Sequence, residues 1–241
     1  ALIIRMLDEV PADVETTFQA LLCRRQQREP VAYIVGEKEF WSRTFQVDAN
    51  VLIPRPETEH LIEALLKRYT DRLKSYRFCD IGTGSGSIAC TIACEFPNAE
   101  IVATDISTSA LAIASINAER LNVADRVTLK CGDMFAALDD HTEPFDAIIS
   151  NPPYVSRDEM EALEPELKYE PRSALTDEDD GKRFLSTLLN ECHTWLKPGG
   201  YIMVETGLCG LPNPPEHLKI SDIYRDLAGM KRGGVYHYKS D

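Results

Sequence analysis

Apolar positions recur at helical spacing from Asp13 to about Gln27, placing Val14, Phe18, Leu21 and Leu22 on one face. Pro30 closes that helix. Residues 31–53 then alternate apolar and polar in two runs, 31–35 and 40–47, parted by Gly36, which predicts a β-hairpin or two short strands. The proline-bracketed stretch Ile53-Pro54-Arg55-Pro56-Glu57-Thr58 reads as a stiff connector. Thr58 suits the N-cap of a following helix with Leu61, Ile62, Leu65, Leu66 and Tyr69 on one face.

From Tyr76 the period changes. Strands expected at 77–81, 100–104, 126–130, 145–149 and 201–205 alternate with helices at about 86–95, 107–121 and 182–196, the order of a parallel sheet in an α/β fold. Residues 155–181 are acidic and irregular, a length that marks a functional or disordered loop. The tail from Gly207 is rich in proline, and residues 235–238 read as a last edge strand.

Composition narrows the class. The 241 residues, 44% of them hydrophobic, suit one medium α/β domain with an appendage, or two small domains. No apolar stretch reaches the roughly 18 residues of a membrane span, and no signal-peptide pattern opens the chain. Seven cysteines without a Cys-x-x-Cys pair point to reduced, core-packed thiols and a cytoplasmic location. A net charge of −13 disfavours gripping a nucleic acid through its phosphates. Arg24, Arg25 and Arg28 form the one dense basic cluster.

Two stretches carry candidate chemistry. Residues 145–149 form a buried strand that runs into Asn151-Pro152-Pro153-Tyr154, where two prolines forbid continuation. The resulting rigid loop lies at the carboxyl end of a strand, where open α/β sheets bind ligands. The Asn151 side-chain carbonyl and the Pro152 backbone carbonyl can accept both hydrogens of a planar NH2 group, with the Tyr154 ring against its face. The same residues also suit an ordinary turn. Upstream, Asp80-Ile81-Gly82-Thr83-Gly84-Ser85-Gly86 leaves a strand and opens a helix. Ser87 stands where a dinucleotide fingerprint needs its last glycine, and no Gly-Lys-Ser/Thr follows, which excludes a P-loop. Asp105, 19 positions after Gly86, ends the second strand where a carboxylate can hold a ribose. Asp133-Met134 follow the third strand, beside an adenine, although either aspartate could equally cap a helix. Three such strand ends suit S-adenosylmethionine better than NAD.

With Pro54-Arg55-Pro56-Glu57-Thr58 and Glu170-Pro171-Arg172-x-Ala174-Leu175 added, the chain from about Glu29 to Glu205 resembles the HemK-type methyltransferases. These modify the glutamine amide in the Gly-Gly-Gln motif of peptide-chain release factors. The resemblance implies an S-adenosylmethionine-dependent, Rossmann-like fold with a mostly parallel sheet. It implies that Gly82, Thr83, Gly84, Ser85 and Gly86 cradle the methionine part of the cofactor, Asp105 holds the ribose and Met134 flanks the adenine. Asn151, Pro152, Pro153 and Tyr154 then position the glutamine amide, with Asn151 also beside the cofactor. Residues 1–29 are expected to be the remnant of a helical substrate-docking domain, 30–58 a β-hairpin and connector, and 59–241 the methyltransferase domain. The expected partner is a release factor, met by a cytoplasmic monomer that needs no metal. An adenine-N6 nucleic-acid methyltransferase is the rival reading, since Asn-Pro-Pro-Tyr is shared with such enzymes.

Overall fold

Gly36 shapes the amino-terminal part. In the computed structural model, which describes residues 10–226 and 228–239, α1 (Ala12–Gln26) leads into α2 (Val31–Val35), and Gly36 ends α2 at a left-handed φ of 81°. Residues 31–35, expected as a strand, are therefore helical. Their one-turn helix lets Tyr33 alone enter the core, where its hydroxyl donates to the Val51 carbonyl at 2.5 Å. That packing overrides the β preference of valine and isoleucine. The hairpin forms one step later, from β1 (Glu37–Phe40) and β2 (Arg43–Gln46). Trp41 and Ser42 close it at positive φ (51° and 56°), the twist a two-residue hairpin turn requires. The apolar face expected on α1 is not buried: Val14, Phe18, Leu21 and Leu22 are all exposed. Residues 1–9, part of the expected docking remnant, lie outside the described residues.

A 3-10 turn at Pro56–Thr58 precedes α3 (Glu59–Arg68), which buries Leu61, Ile62 and Leu65. Thr58 makes no side-chain cap, contrary to expectation, because its hydroxyl is engaged elsewhere. Then follow β3 (Arg77–Ile81), α4 (Ser87–Glu95), β4 (Glu100–Asp105), α5 (Thr108–Arg120), β5 (Val127–Cys131) and β6 (Phe145–Ser150). The acidic stretch after β6 holds α6 (Arg157–Glu161), opened by a Ser156–Glu159 capping box, and two 3-10 turns. The chain ends in α7 (Arg183–Glu191), β7 (Leu196–Glu205), β8 (Leu218–Arg225) and β9 (Lys231–Tyr238).

Among the described residues the main sheet has the order β5-β4-β3-β6-β7-β9-β8. The first five strands in that order run parallel, and β9 is antiparallel to both its neighbours. Residues 235–238, expected at an edge, thus lie inside the sheet, and β8 forms the edge. Alternation along β3 divides the core: Phe78 packs with α3 and α4 on one face, while Cys79 packs with α7 on the other. Cys79, Cys90 and Cys192 are buried as expected of core thiols, but Cys23 and Cys131 are exposed. No described helix is long and apolar enough to cross a membrane.

Candidate active site

β3 pairs with β4 on one side and β6 on the other, so the loops leaving β3 and β6 diverge from a topological switch point. The β3 loop takes φ values of 74°, 54° and 78° at Gly82, Gly84 and Gly86, a left-handed run that only glycine sustains without strain. Backbone N–H groups of Gly82 and Thr83 both donate to the Thr104 carbonyl, lashing the loop to the end of β4. A Cβ on Gly82 or Gly84 would meet open space, whereas one on Gly86 would lie 3.1 Å from Ala114 Cβ. The first two glycines therefore leave room for a ligand, and the third lets α4 and α5 pack. Asn117, fully buried on α5, donates to the Ser85 carbonyl and exchanges two hydrogen bonds with the backbone of Gln46. It ties the loop to the hairpin.

Three acidic positions belong to the strands on this side of the sheet: Asp80 in β3, Asp105 at the end of β4 and Asp133 just after β5. Asp80 is fully buried; its Oδ2 accepts from the Thr83 hydroxyl (2.6 Å) and the Ala89 N–H (3.1 Å), and its Oδ1 has no partner among the described residues. Burial pushes its carboxyl up to about 7, against the pull of those two donors. Asp105 accepts from the Gly84 N–H at 2.8 Å and the Ser107 N–H at 2.9 Å, and burial raises its pKa despite these backbone donors. Each of its oxygens keeps a lone pair for a ligand hydroxyl. Asp133 precedes Met134, which is half-buried with a φ of 50° and packs against the core cluster that holds Ile81 and Val102. The open space over Gly82 and Gly84, the unpaired oxygen of Asp80 and the carboxylate ending β4 fit S-adenosylmethionine, with its ammonium and ribose groups.

The Asn-Pro-Pro-Tyr corner faces this cradle. Ser150 anchors it by donating from its hydroxyl to the Ile81 carbonyl at 2.7 Å. The Asn151 side-chain NH2 donates to Thr58 Oγ1 at 3.0 Å. Neither Asn151 Oδ1 nor the Pro152 carbonyl takes a hydrogen bond among the described residues. Both acceptors the sequence singles out are therefore free. The Tyr154 hydroxyl donates to Glu205 Oε1 at 2.9 Å, and its ring lies so close over Gly207 that a Cβ there would fall 2.6 Å from it. Pro153 is half-buried. Arg55 donates to Glu170, which also accepts from the Ile53 N–H, so the two proline-containing motifs close on one another. Between them is a cavity of about 180 Å³, lined by Leu52, Arg55, Asn151, Pro152, Tyr154 and Leu175 among others.

The structure thus gathers the glycine loop, Asp105 and Met134 on one side of the switch point and residues 151–154 on the other. Four partners escape a linear reading: Thr58, Asn117, Asp177 and Glu205. Asp177 is buried and accepts from the N–H groups of Asp179, Gly181 and Arg183, shaping the loop that covers Tyr154. Glu205 carried a signal, a carboxylate ending an apolar strand next to the Asn-Pro-Pro-Tyr strand. The basic cluster is engaged internally, Arg24 with Glu29, and Arg25 and Arg28 with Glu166.

A methyltransferase-domain family model matches residues 73–223, and a PrmC N-terminal domain model matches residues 1–36. The chain is 43% identical over 236 residues to the release factor glutamine methyltransferase of Rhodopirellula baltica, covering 93% of this chain and 79% of the relative. It is 42% identical to that of Cereibacter sphaeroides, covering 96% of this chain and 82% of the relative. A methyltransferase from Pyrococcus furiosus shares the fold with a TM-score of 0.56 at 20% identity, over 94% of this chain and all of that one.

Proposed function

The chain belongs to the release factor glutamine methyltransferases, and from that premise we propose how its residues transfer a methyl group to the glutamine of a release factor's Gly-Gly-Gln motif. S-adenosylmethionine is the donor and, when bound, supplies an electrophilic methyl group on a sulfonium. Gly82 to Gly86 cradle its methionine part, Asp80 and Asp105 meet its ammonium and ribose, and Met134 flanks the adenine.

An amide nitrogen is a poor nucleophile because its lone pair is delocalised into the carbonyl. As it takes the methyl group it gains positive charge and its hydrogens become more acidic, and one of them leaves as a proton to water once the transfer is complete. Asn151 Oδ1 and the Pro152 carbonyl hold those hydrogens and stabilise the charge more in the transition state than in the ground state. The Tyr154 ring packs against the planar group. Alignment of nitrogen, methyl and sulfur contributes roughly 7–11 kcal/mol more.

The single observation carrying this assignment is the pair of unpartnered acceptors at Asn151 and Pro152, which open on a cavity of about 180 Å³. Pockets for drug-sized ligands measure about 300–1,000 Å³, so this one suits a slim amide side chain better than a nucleobase with its sugar. Its apolar lining suits methylene groups. The net charge of −13 supports a protein substrate over a nucleic acid. In this reading residues 1–29 help dock the release factor and residues 59–241 carry out the transfer. The enzyme works as a monomer in the cytoplasm, where unpaired cysteines such as Cys79 and Cys90 stay reduced.

Incubation with isotope-labelled S-adenosylmethionine and either a release factor, DNA or RNA tests the proposal. Mass spectrometry is expected to show one added methyl on the Gly-Gly-Gln glutamine, and none on its Gln→Ala variant. Label in DNA or RNA instead would establish the nucleobase reading.

A further inference from the structure

Neither Pro54-Arg55-Pro56 nor Glu170-Pro171-Arg172 has a task in holding the cofactor or the two amide hydrogens. Arg55 stands between two prolines with an extended backbone (φ −103°, ψ 144°), so its place is fixed before any ligand binds. Among the described residues it is the one charged side chain lining the cavity of about 180 Å³ beside Asn151 and Pro152. Leu52, Val155, Leu167, Ala174 and Leu175 make much of the remaining wall apolar. A cation against such a wall is costly unless its charge is matched. Glu170 matches it. That side chain is 2% exposed; one oxygen accepts from Arg55 Nη2 and the other from the Ile53 N–H at 3.0 Å. Both Glu170 oxygens are thus occupied, but Arg55 is not. A guanidinium has five N–H donors, and neither Nε nor Nη1 of Arg55 has an acceptor among the described residues.

A cation tied on one side, with donors to spare, suits an acceptor on the incoming substrate. The glutamine side-chain oxygen is the wrong one. A donor there would draw the nitrogen lone pair further into the carbonyl and stabilise the ground state over the transition state. Main-chain carbonyls of the same segment carry no such penalty. The Arg55 side chain is 30% exposed, which puts it at the mouth of the cavity rather than its floor. The main chain of an acceptor segment must pass there once its amide has reached Asn151. We propose that Arg55 is a substrate-binding residue that donates to a main-chain carbonyl flanking the target glutamine, with Glu170 as its positioning residue. The inference rests on the glutamine amide binding at Asn151 and Pro152, as proposed above. Glycine neighbours help, because no Cβ keeps their backbone away from the guanidinium.

The test measures transfer to a release factor by the full chain and by Arg55→Met and Arg55→Lys. Lysine keeps a charge for Glu170 and loses the fork, which covers the case in which Arg55→Met folds poorly. The KM for the release factor is expected to rise about 10- to 100-fold in Arg55→Met and about tenfold in Arg55→Lys, the effect of one charge-assisted hydrogen bond. The single-turnover rate at saturation and the S-adenosylmethionine affinity should stay within about twofold, since this contact holds ground and transition state alike. In a Gly-Gly-Gln peptide, an ester replacing the peptide bond on one or the other side of the glutamine weakens that carbonyl as an acceptor. At least one of the two esters should raise the wild-type KM and leave that of Arg55→Lys unchanged. A normal KM in Arg55→Lys overturns the proposal and leaves a purely structural ion pair, as do ester effects equal in wild type and variant. Without any transfer, the Arg55 Nε–H resonance should shift when the unmodified peptide is added together with S-adenosylhomocysteine. Should the wild type label no release factor, the substrate assignment fails, and that resonance still decides the role of Arg55: no shift overturns it.

Discussion

The backbone N–H of Gly84 donates to Asp105 at 2.8 Å, joining the glycine loop to the carboxylate that ends β4. One side chain therefore shapes the cradle and, in the proposed function, also faces the ribose. Asp105→Ala removes a charged acceptor and leaves the Gly84 and Ser107 amides without their partner. The expected loss of S-adenosylmethionine binding is about 1.5–3 kcal/mol. Asp105→Asn should lose nearly as much, because its NH2 would have to face one of two N–H donors. Calorimetric titration checks both; unchanged affinity would sink the ribose assignment.

Gly84 and Gly86 differ in what lies beside them, and alanine at each should fail differently. Both have positive φ, so each alanine costs about 1–2 kcal/mol of backbone strain. At Gly86 the new Cβ also presses on Ala114 and on Cys90 Sγ at 3.3 Å, so stability should fall further. At Gly84 the Cβ enters open space, which the proposed function gives to the cofactor, so affinity should fall more than stability. Thermal unfolding and cofactor titration of the two variants separate these effects.

Asn151→Ala is expected to keep S-adenosylmethionine binding largely intact while turnover drops about 100-fold or more, the usual cost of one preorganised stabilising group. Asn151→Asp keeps an acceptor oxygen but cannot donate to Thr58, and should recover little. Single-turnover rates near those of wild type in either variant would contradict the two-acceptor arrangement.

The glycine loop and the Asn-Pro-Pro-Tyr corner were legible because both obey local rules: positive φ needs glycine, and paired prolines stop a strand. What those residues touch was not legible. Thr58 lies 93 positions from Asn151, and Tyr154 lies 51 from Glu205. Thr58 looked like a helix cap because threonine before an apolar helix usually is one. Residues 31–35 read as a strand because a five-residue apolar run carries no period that separates strand from helix. β8 escaped notice because an irregularity between Ile220 and Asp222 breaks its alternation.

Two buried carboxyls set the last expectation, the dependence of stability on pH. Asp80 rises from an ordinary 3.8, and Glu205 from 4.5, to about 7, in both cases because burial disfavours the charge. The folded state thus holds protons that the unfolded chain has already released, from about pH 4.5 up to about pH 7. Stability therefore falls as pH rises through that window and levels off above it. Each group contributes on the order of 3–4 kcal/mol at most. Carboxylates held below their ordinary range, such as Glu29 and Glu166, lose their contribution only as pH falls below the window, so they do not mask it. The melting temperature should be several degrees higher near pH 5.5 than near pH 8. Asp80→Asn and Glu205→Gln should each flatten the profile. Saturating S-adenosylmethionine should shrink the Asp80 share, because a cation beside that carboxyl favours its ionised form. A wild-type melting temperature that rises from pH 5.5 to 8, or variants that leave the slope unchanged, would refute the buried-carboxyl account.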